Sequence, residues 1–414
     1  MNKNTLDILR EEIVIPEVVQ EKANDAFYAI RREAKSSRAG MEKRKTGMKT
    51  ISLHSRKKHR KKILVTACAA ALAVCTVTAG AAAYMKWSSG LESSFRVTEK
   101  QKEMAEDSGL ASFPGMSATN DGVTVTAQTC IVNSDFAFLA FKVEGYTVEP
   151  GEEPGFDSFS AEVEGESLSG GGSFYNGLVV GEDGRAARAD GGEIALDEDG
   201  NMLLDYTQED GTLEYQLTLA GNEHVGSLLN KPIHVELTDL GTYTEKAGNV
   251  SNGVEGTWEF DWTLEGDDSA YTAECKTPLG DTGATVVSAE ISPISIKVVY
   301  DFPRQEVTET GYHESQEEVD GEMVQKSEPF EYTYYKEPPA FAGVKLKDGT
   351  LLLYITAGGG RMGYVDEDSD QYETAVAFDR IVDVDEVQSL LFIKDYPEGE
   401  NALTEENLYA VDIR

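Results

Sequence analysis

The residues able to do chemistry are few. Asp366, Asp368 and Asp370 stand two apart in an acidic turn, a spacing that could offer several carboxylate oxygens to a hard cation such as calcium. An EF-hand loop would need glycine where Gln371 stands and a bidentate glutamate where Ala377 stands, so a solvated loop is the simpler reading. Asp197–Gly200 (DEDG) reads as a turn in the same way. Beyond the N-terminal quarter the histidines are His224, His234 and His313, and none has H-E-x-x-H spacing. The sequence holds no G-x-S-x-G elbow, no P-loop and no C-x-x-C pair. Gly170–Gly172 and Gly358–Gly360 lack the Lys-Ser/Thr that would make a phosphate cradle. Carboxylates are so abundant that acid/base pairs could be drawn anywhere, so such pairs carry no information. The expectation is a protein that is not an enzyme and needs no cofactor, with no confident metal site.

The next candidates are groups that bind rather than react. Arg56, Lys57, Lys58, Arg60, Lys61 and Lys62 immediately precede Ile63–Met85, a run without a charged residue, and only Lys86 directly follows it. At ~1.5 Å per residue the run covers roughly 34 Å, enough to cross a bilayer core of about 30 Å. The cationic flank places the N-terminus inside and the C-terminus outside, and its side chains suit the anionic inner leaflet without nucleic acid. Two competing readings are a cleaved signal peptide, given the small residues Ala79–Ala83, and a buried soluble helix. The long polar segment ahead of the run favours an uncleaved anchor.

Upstream, Pro16 suits a first helical turn, Glu17 and Glu21 lie near that end, and Arg31, Arg32, Lys35 and Arg38 load the other. Val19, Ala23, Phe27 and Ile30 share one face, and these form the candidate partner-binding stripe. Docking on a protein, lying on the inner leaflet and marginal helicity all remain open for it. Ser36–Lys62 reads as a basic tether.

Charge divides with the span. Of a net −37 over 414 residues, positions 1–62 hold 17 Lys+Arg against 8 Asp+Glu, and positions 86–414 hold 20 against 66. The outer portion at −46 repels nucleic acid and other polyanions and attracts cations or basic peptides. The pair Cys130 and Cys275 is no disulfide framework, and burial as small apolar side chains is the default.

Beyond the span, Leu91–Gly109 reads as a stalk helix. Val123, Val125 and Ala127, then Phe136, Phe138 and Ala140, alternate around Asn133-Ser134-Asp135 as a hairpin. Further strands are expected at 173–180, 201–206 and 212–219, and a second series begins at 232. In Gly256–Leu264, Trp258, Phe260 and Trp262 alternate with acids, which predicts a sandwich core face. Gln305–Lys336 reads as an acidic, tyrosine-rich loop or hairpin. The expected fold is a mainly β ectodomain of two β-sandwich-like domains, one transmembrane α-helix and a short cytoplasmic amphipathic helix. Its divisions are an arm at 1–62, the span at 63–85, a stalk at 86–111, sandwiches at 112–222 and 223–396, and a polar tail at 397–414.

The order of the stretches IVIPEVVQEKANDAFYAI (Ile13–Ile30), RKKILVTACAAALAV (Arg60–Val74) and GVTVTAQTCIV…FAFLAFKVEG (Gly122–Gly145) resembles a family of single-span bacterial proteins with a domain of unknown function, DUF4179. The later stretches GTWEFDWTL, ISPISIKVVY, VKLKDGT and FDRIVDVDEVQSLLF resemble the second β-domain that accompanies it. The resemblance implies a bacterial membrane regulator whose arm sequesters an extracytoplasmic-function sigma factor, with outer domains that sense or gate. The chain departs from zinc-containing anti-sigma domains: no cysteine precedes Cys68, and His54 and His59 stand in the basic tether. A rival reading is an envelope-binding or adhesion protein in which the arm is only a tether.

Overall fold

The computed structural model describes residues 87–197, 200–243, 250–319, 322–366, 368–397 and 402–414, all within one compact unit. The expected cytoplasmic helix, basic tether and span lie outside the described residues. Among the described residues, no helix is long and apolar enough to cross a membrane.

The first half runs α1 (Ser89–Ser94), α2 (Glu99–Ser108), β1 (Ala111–Ser112), β2 (Met116–Asn120), β3 (Val123–Val132), β4 (Phe136–Glu144), β5 (Pro154–Val163), β6 (Glu166–Ser167), β7 (Ser169–Phe174), β8 (Leu178–Val180), β9 (Ala186–Arg188), β10 (Leu213–Ala220), β11 (Pro232–Tyr243) and β12 (Val250–Thr263). One sheet is ordered β1-β3-β4-β10-β7 with β2 also on β3, and a second is ordered β12-β11-β5-β6. Their facing side chains make one core, because period-two alternation sends Val125, Phe141 and Leu217 of one sheet toward Phe156, Val235 and Trp258 of the other. Aromatic contacts hold it together: Phe156 lies 5.6 Å from both Phe174 and Trp258, and Phe141 5.3 Å from Phe260. The Trp258 indole N–H donates to the Val123 carbonyl at 3.1 Å, so the largest buried ring leaves no orphaned donor.

The second half runs β13 (Tyr271–Pro278), β14 (Thr285–Ser292), β15 (Ser295–Asp301), β16 (Glu306–Val319), β17 (Glu322–Tyr335), β18 (Phe341–Leu346), β19 (Leu351–Leu353), β20 (Thr356–Tyr364), β21 (Gln371–Phe378), β22 (Val387–Ile393) and β23 (Leu408–Asp412). Sheets ordered β13-β14-β15-β21-β20 and β19-β18-β22-β23 enclose a core that includes Tyr300, Phe302, Phe341, Phe392 and Val411. β16 and β17 pair with each other in unbroken register from Glu306↔Tyr335 to Val319↔Glu322 and form a separate two-stranded ribbon.

The described chain is mainly β, as expected, with two pairs of sheets that each enclose a core, but several expected divisions move. The boundary at 222/223 falls inside the first sandwich: β11 is an interior strand of its second sheet, with Leu237 opposite Trp258 on one side and Phe159 on the other. One sheet with an apolar inner face cannot stand alone in water, and β11–β12 with β5 supply its cover. The stalk helix is two short helices packed on the sandwiches, as described below. The C-terminal tail is structural, since β23 pairs along β22 and buries Val411 and Ile413. Positions 201–206 form no strand beyond a single bridge from Leu196 to Met202, although Tyr206 reaches the core. Cys130 and Cys275 are free thiols, one in each sandwich, and burial raises the pKa of both.

Candidate functional site

The element with the most unusual placement is Trp87–Ala111, the first described stretch after the apolar run. β4 is apolar on both faces: Ala137, Leu139, Phe141 and Val143 point into the first core, and Phe136, Phe138 and Ala140 point out of it. A strand exposed on one side would alternate apolar with polar, so this outer face requires a cover. α1, α2 and their flanks provide it. Trp87, Leu91, Phe95, Val97, Ala105 and Leu110 pack on that face together with Ile294, Ala375, Ala377 and Ile381 of the second sandwich. The Phe95 ring meets Phe138 edge-on at 4.7 Å. The two helices are a wedge in the seam between the sandwiches.

Local signals explain the wedge's shape. Thr98 and Gln101 form a capping box at the start of α2, and Gly109 ends it in the left-handed region at φ +81°. The Gln101 amide also donates to the Ile381 carbonyl at 2.7 Å, which ties α2 to the second sandwich. Lys102 joins Glu92 of α1 at 2.5 Å and Glu99 at 2.8 Å, and the Trp87 indole donates to Glu106 at 2.8 Å.

α1 has no side-chain cap of its own. Glu214 of β10, on the sheet face that α1 covers, supplies one. Its carboxylate accepts from the Gly90 N–H at 2.7 Å, the Ser88 hydroxyl at 3.1 Å and the Gln216 amide at 2.9 Å, and a bond from the Leu91 N–H adds to these. The Ser88 N–H meanwhile donates to the Thr129 hydroxyl at 2.9 Å. A carboxylate at a helix N-terminus satisfies orphan donors and complements the helix dipole. Glu214 is only 3% exposed, and this burial pushes its pKa above the ordinary glutamate value against the pull of its donors. Gly90 is required by the approach: a Cβ there would stand 2.6 Å from the Glu214 carboxyl carbon.

Polar contacts continue around the seam. Asn133, 3% exposed at the β3–β4 bend, accepts from the Asp135 and Phe136 N–H groups and donates to the Ser292 and Ser295 hydroxyls of the second sandwich at 2.9 and 2.7 Å. Arg361 of β20 bonds Asp135 at 2.8 Å and Glu373 at 3.3 Å. A cleft of about 510 Å³ opens at this rim, with Arg361, Tyr364, Lys297 and Asn222 among its walls.

Of the sequence-derived candidates, Val19, Ala23, Phe27, Ile30 and the basic group Arg56, Lys57, Lys58, Arg60, Lys61 and Lys62 lie outside the described residues. Asp366, Asp368 and Asp370 sit in the β20–β21 turn, where the Asp366 carboxylate accepts from the Asp368 N–H and the Asp370 carbonyl accepts from the Phe302 N–H. Among the described residues, no cluster of three or more His, Cys, Asp or Glu is placed to hold a metal. His234 makes a 2.9 Å cross-strand contact with Asp261. Glu214 was missed because alternation in β10 assigns it to solvent. The doubly apolar β4 beside it was the available signal that this face is covered.

Residues 55–145 match a family model described as Domain of unknown function (DUF4179). No curated protein matches the chain. A solved structure, described as a conserved domain protein from Bacillus anthracis, is similar at 10% identity with a TM-score of 0.37, covering 74% of this chain and 95% of that one.

Proposed function

We propose that this chain is a membrane-held signalling regulator of a bacterial cell, with Ile63–Met85 as its single span, the N-terminus in the cytoplasm and the two sandwiches outside. The arm binds a cytoplasmic protein through Val19, Ala23, Phe27 and Ile30, and the partner the sequence resemblance names is an extracytoplasmic-function sigma factor. The observation that carries the reading is the burial of Trp87–Ala111 in the seam between the sandwiches. Chain leaving the membrane at Lys86 enters that seam directly, so a ligand or cut that shifts one sandwich against the other must act on the segment continuous with the span. The family match supports the same unit, since its bounds at 55–145 take in the basic approach, the apolar run, the wedge and the β3–β4 hairpin.

Co-purification of the full chain with the sigma factor of the same cell tests the reading. Phe27→Asp places a charge in the apolar stripe and is expected to weaken retention at least tenfold, because a buried aromatic anchor contributes about 2 kcal/mol or more. Retention equal to wild type removes the arm as the binding element.

A further inference from the structure

The ribbon of β16 and β17 belongs to neither sandwich sheet, and one of its faces carries Phe330, Tyr332 and Tyr334 in a row. Neighbouring ring centroids in that row are 5.8 Å apart, and the rings of Tyr332 and Tyr334 are within 21° of parallel. All three are 38–42% exposed, an unusual state for a row of large apolar rings. The two tyrosine hydroxyls both donate to the Glu309 carboxylate at 2.9 Å, which fixes the rings and sets a negative charge beside them. Across positions 306–335 the sequence has nine acidic residues against one lysine, a formal −8.

We propose that this face of the ribbon is a docking surface for an extended, arginine-rich peptide segment of another protein. Alternate side chains of an extended peptide recur about every 6.6–6.8 Å, close to the pitch of the ring row, so successive guanidinium groups meet successive rings. Planar guanidinium stacks on aromatic faces and is drawn by the carboxylates around them. The molecule already uses this pairing at the ribbon's base, where the Arg304 guanidinium lies 4.2 Å over Tyr364 and 5.6 Å over Tyr335. The ribbon's charge opposes a second copy of itself and any polyanion. The inference rests on the sensing role proposed above and names the chemistry sensed.

The test is calorimetric titration of the full chain, in zwitterionic detergent micelles, with the synthetic peptide (Arg-Thr)6 and separately with chitohexaose. Binding of the peptide is expected to weaken at least tenfold in Tyr332→Ala/Tyr334→Ala, which leaves the net charge unchanged, and to survive in Tyr332→Phe/Tyr334→Phe, which keeps the rings. Glu309→Gln, with every ring intact, is expected to weaken it several-fold. No peptide binding, equal binding by the alanine variant, or binding of the sugar in preference to the peptide overturns the proposal. Peptide binding with sigma retention unaffected by Phe27→Asp leaves the docking surface standing and removes the cytoplasmic half of the regulator reading.

Discussion

At the scale of single residues, Glu214 couples titration to structure. A buried carboxyl whose pKa is raised on folding keeps a proton that the unfolded chain has released, over the range from the ordinary glutamate value upward. Its contribution to stability is therefore complete below that range and is lost as pH rises through it. Glu214→Gln abolishes this slope. The neutral amide resembles the protonated carboxyl, so the variant should come closest to wild type at the acid end. Denaturant titrations of both proteins between about pH 4 and 8 measure the two effects. A parallel pair of stability curves would show that Glu214 does not titrate in the folded range.

Elements bring the argument to the wedge. α1 spans six residues and α2 ten, too short for either to be stable alone in water. Their order comes from the apolar seam and from Glu214. Phe95→Ala removes the ring that meets Phe138 and should cost about 3–5 kcal/mol of docking. Hydrogen exchange should register it first at 89–110, with β3, β4 and β10 still protected. Loss of protection spread evenly over both sandwiches would make the wedge part of the folding core rather than a detachable element.

On the scale of the whole molecule, the charge partition and the apolar run are the basis of the proposed topology. Protease added to intact cells should remove the chain beyond Lys86 and leave a membrane-held N-terminal fragment; an ectodomain untouched until lysis overturns that orientation. Deleting residues 1–40 separates the two functional readings, since a regulator loses transcriptional control and an adhesin keeps its surface phenotype.

The features legible along the chain are those that depend on neighbouring residues. Period-two alternation marks β3, β10 and β12 and the aromatic core face of Trp258 and Phe260, because a half-buried strand writes its burial into its own pattern. The bend at Asn133 was legible from turn chemistry. The paired register of Gln305–Lys336 settles as a ribbon what the sequence left between loop and hairpin.

Which strands share a sheet is set by packing between distant segments. β5, with Asp157, Ser158 and Ser160 in its middle, carries only a weak alternation, yet it pairs along β11. That non-local pairing moves the division between the sandwiches past β12. The same holds for Glu214, Gly90 and Asn133. Their roles arise from groups 124 or more positions away for Glu214 with Gly90, and 159 and 162 away for Asn133 with Ser292 and Ser295. Propensity and periodicity extend only over adjacent turns and pleats, whereas a buried carboxylate finds its donors through the packing of whole layers.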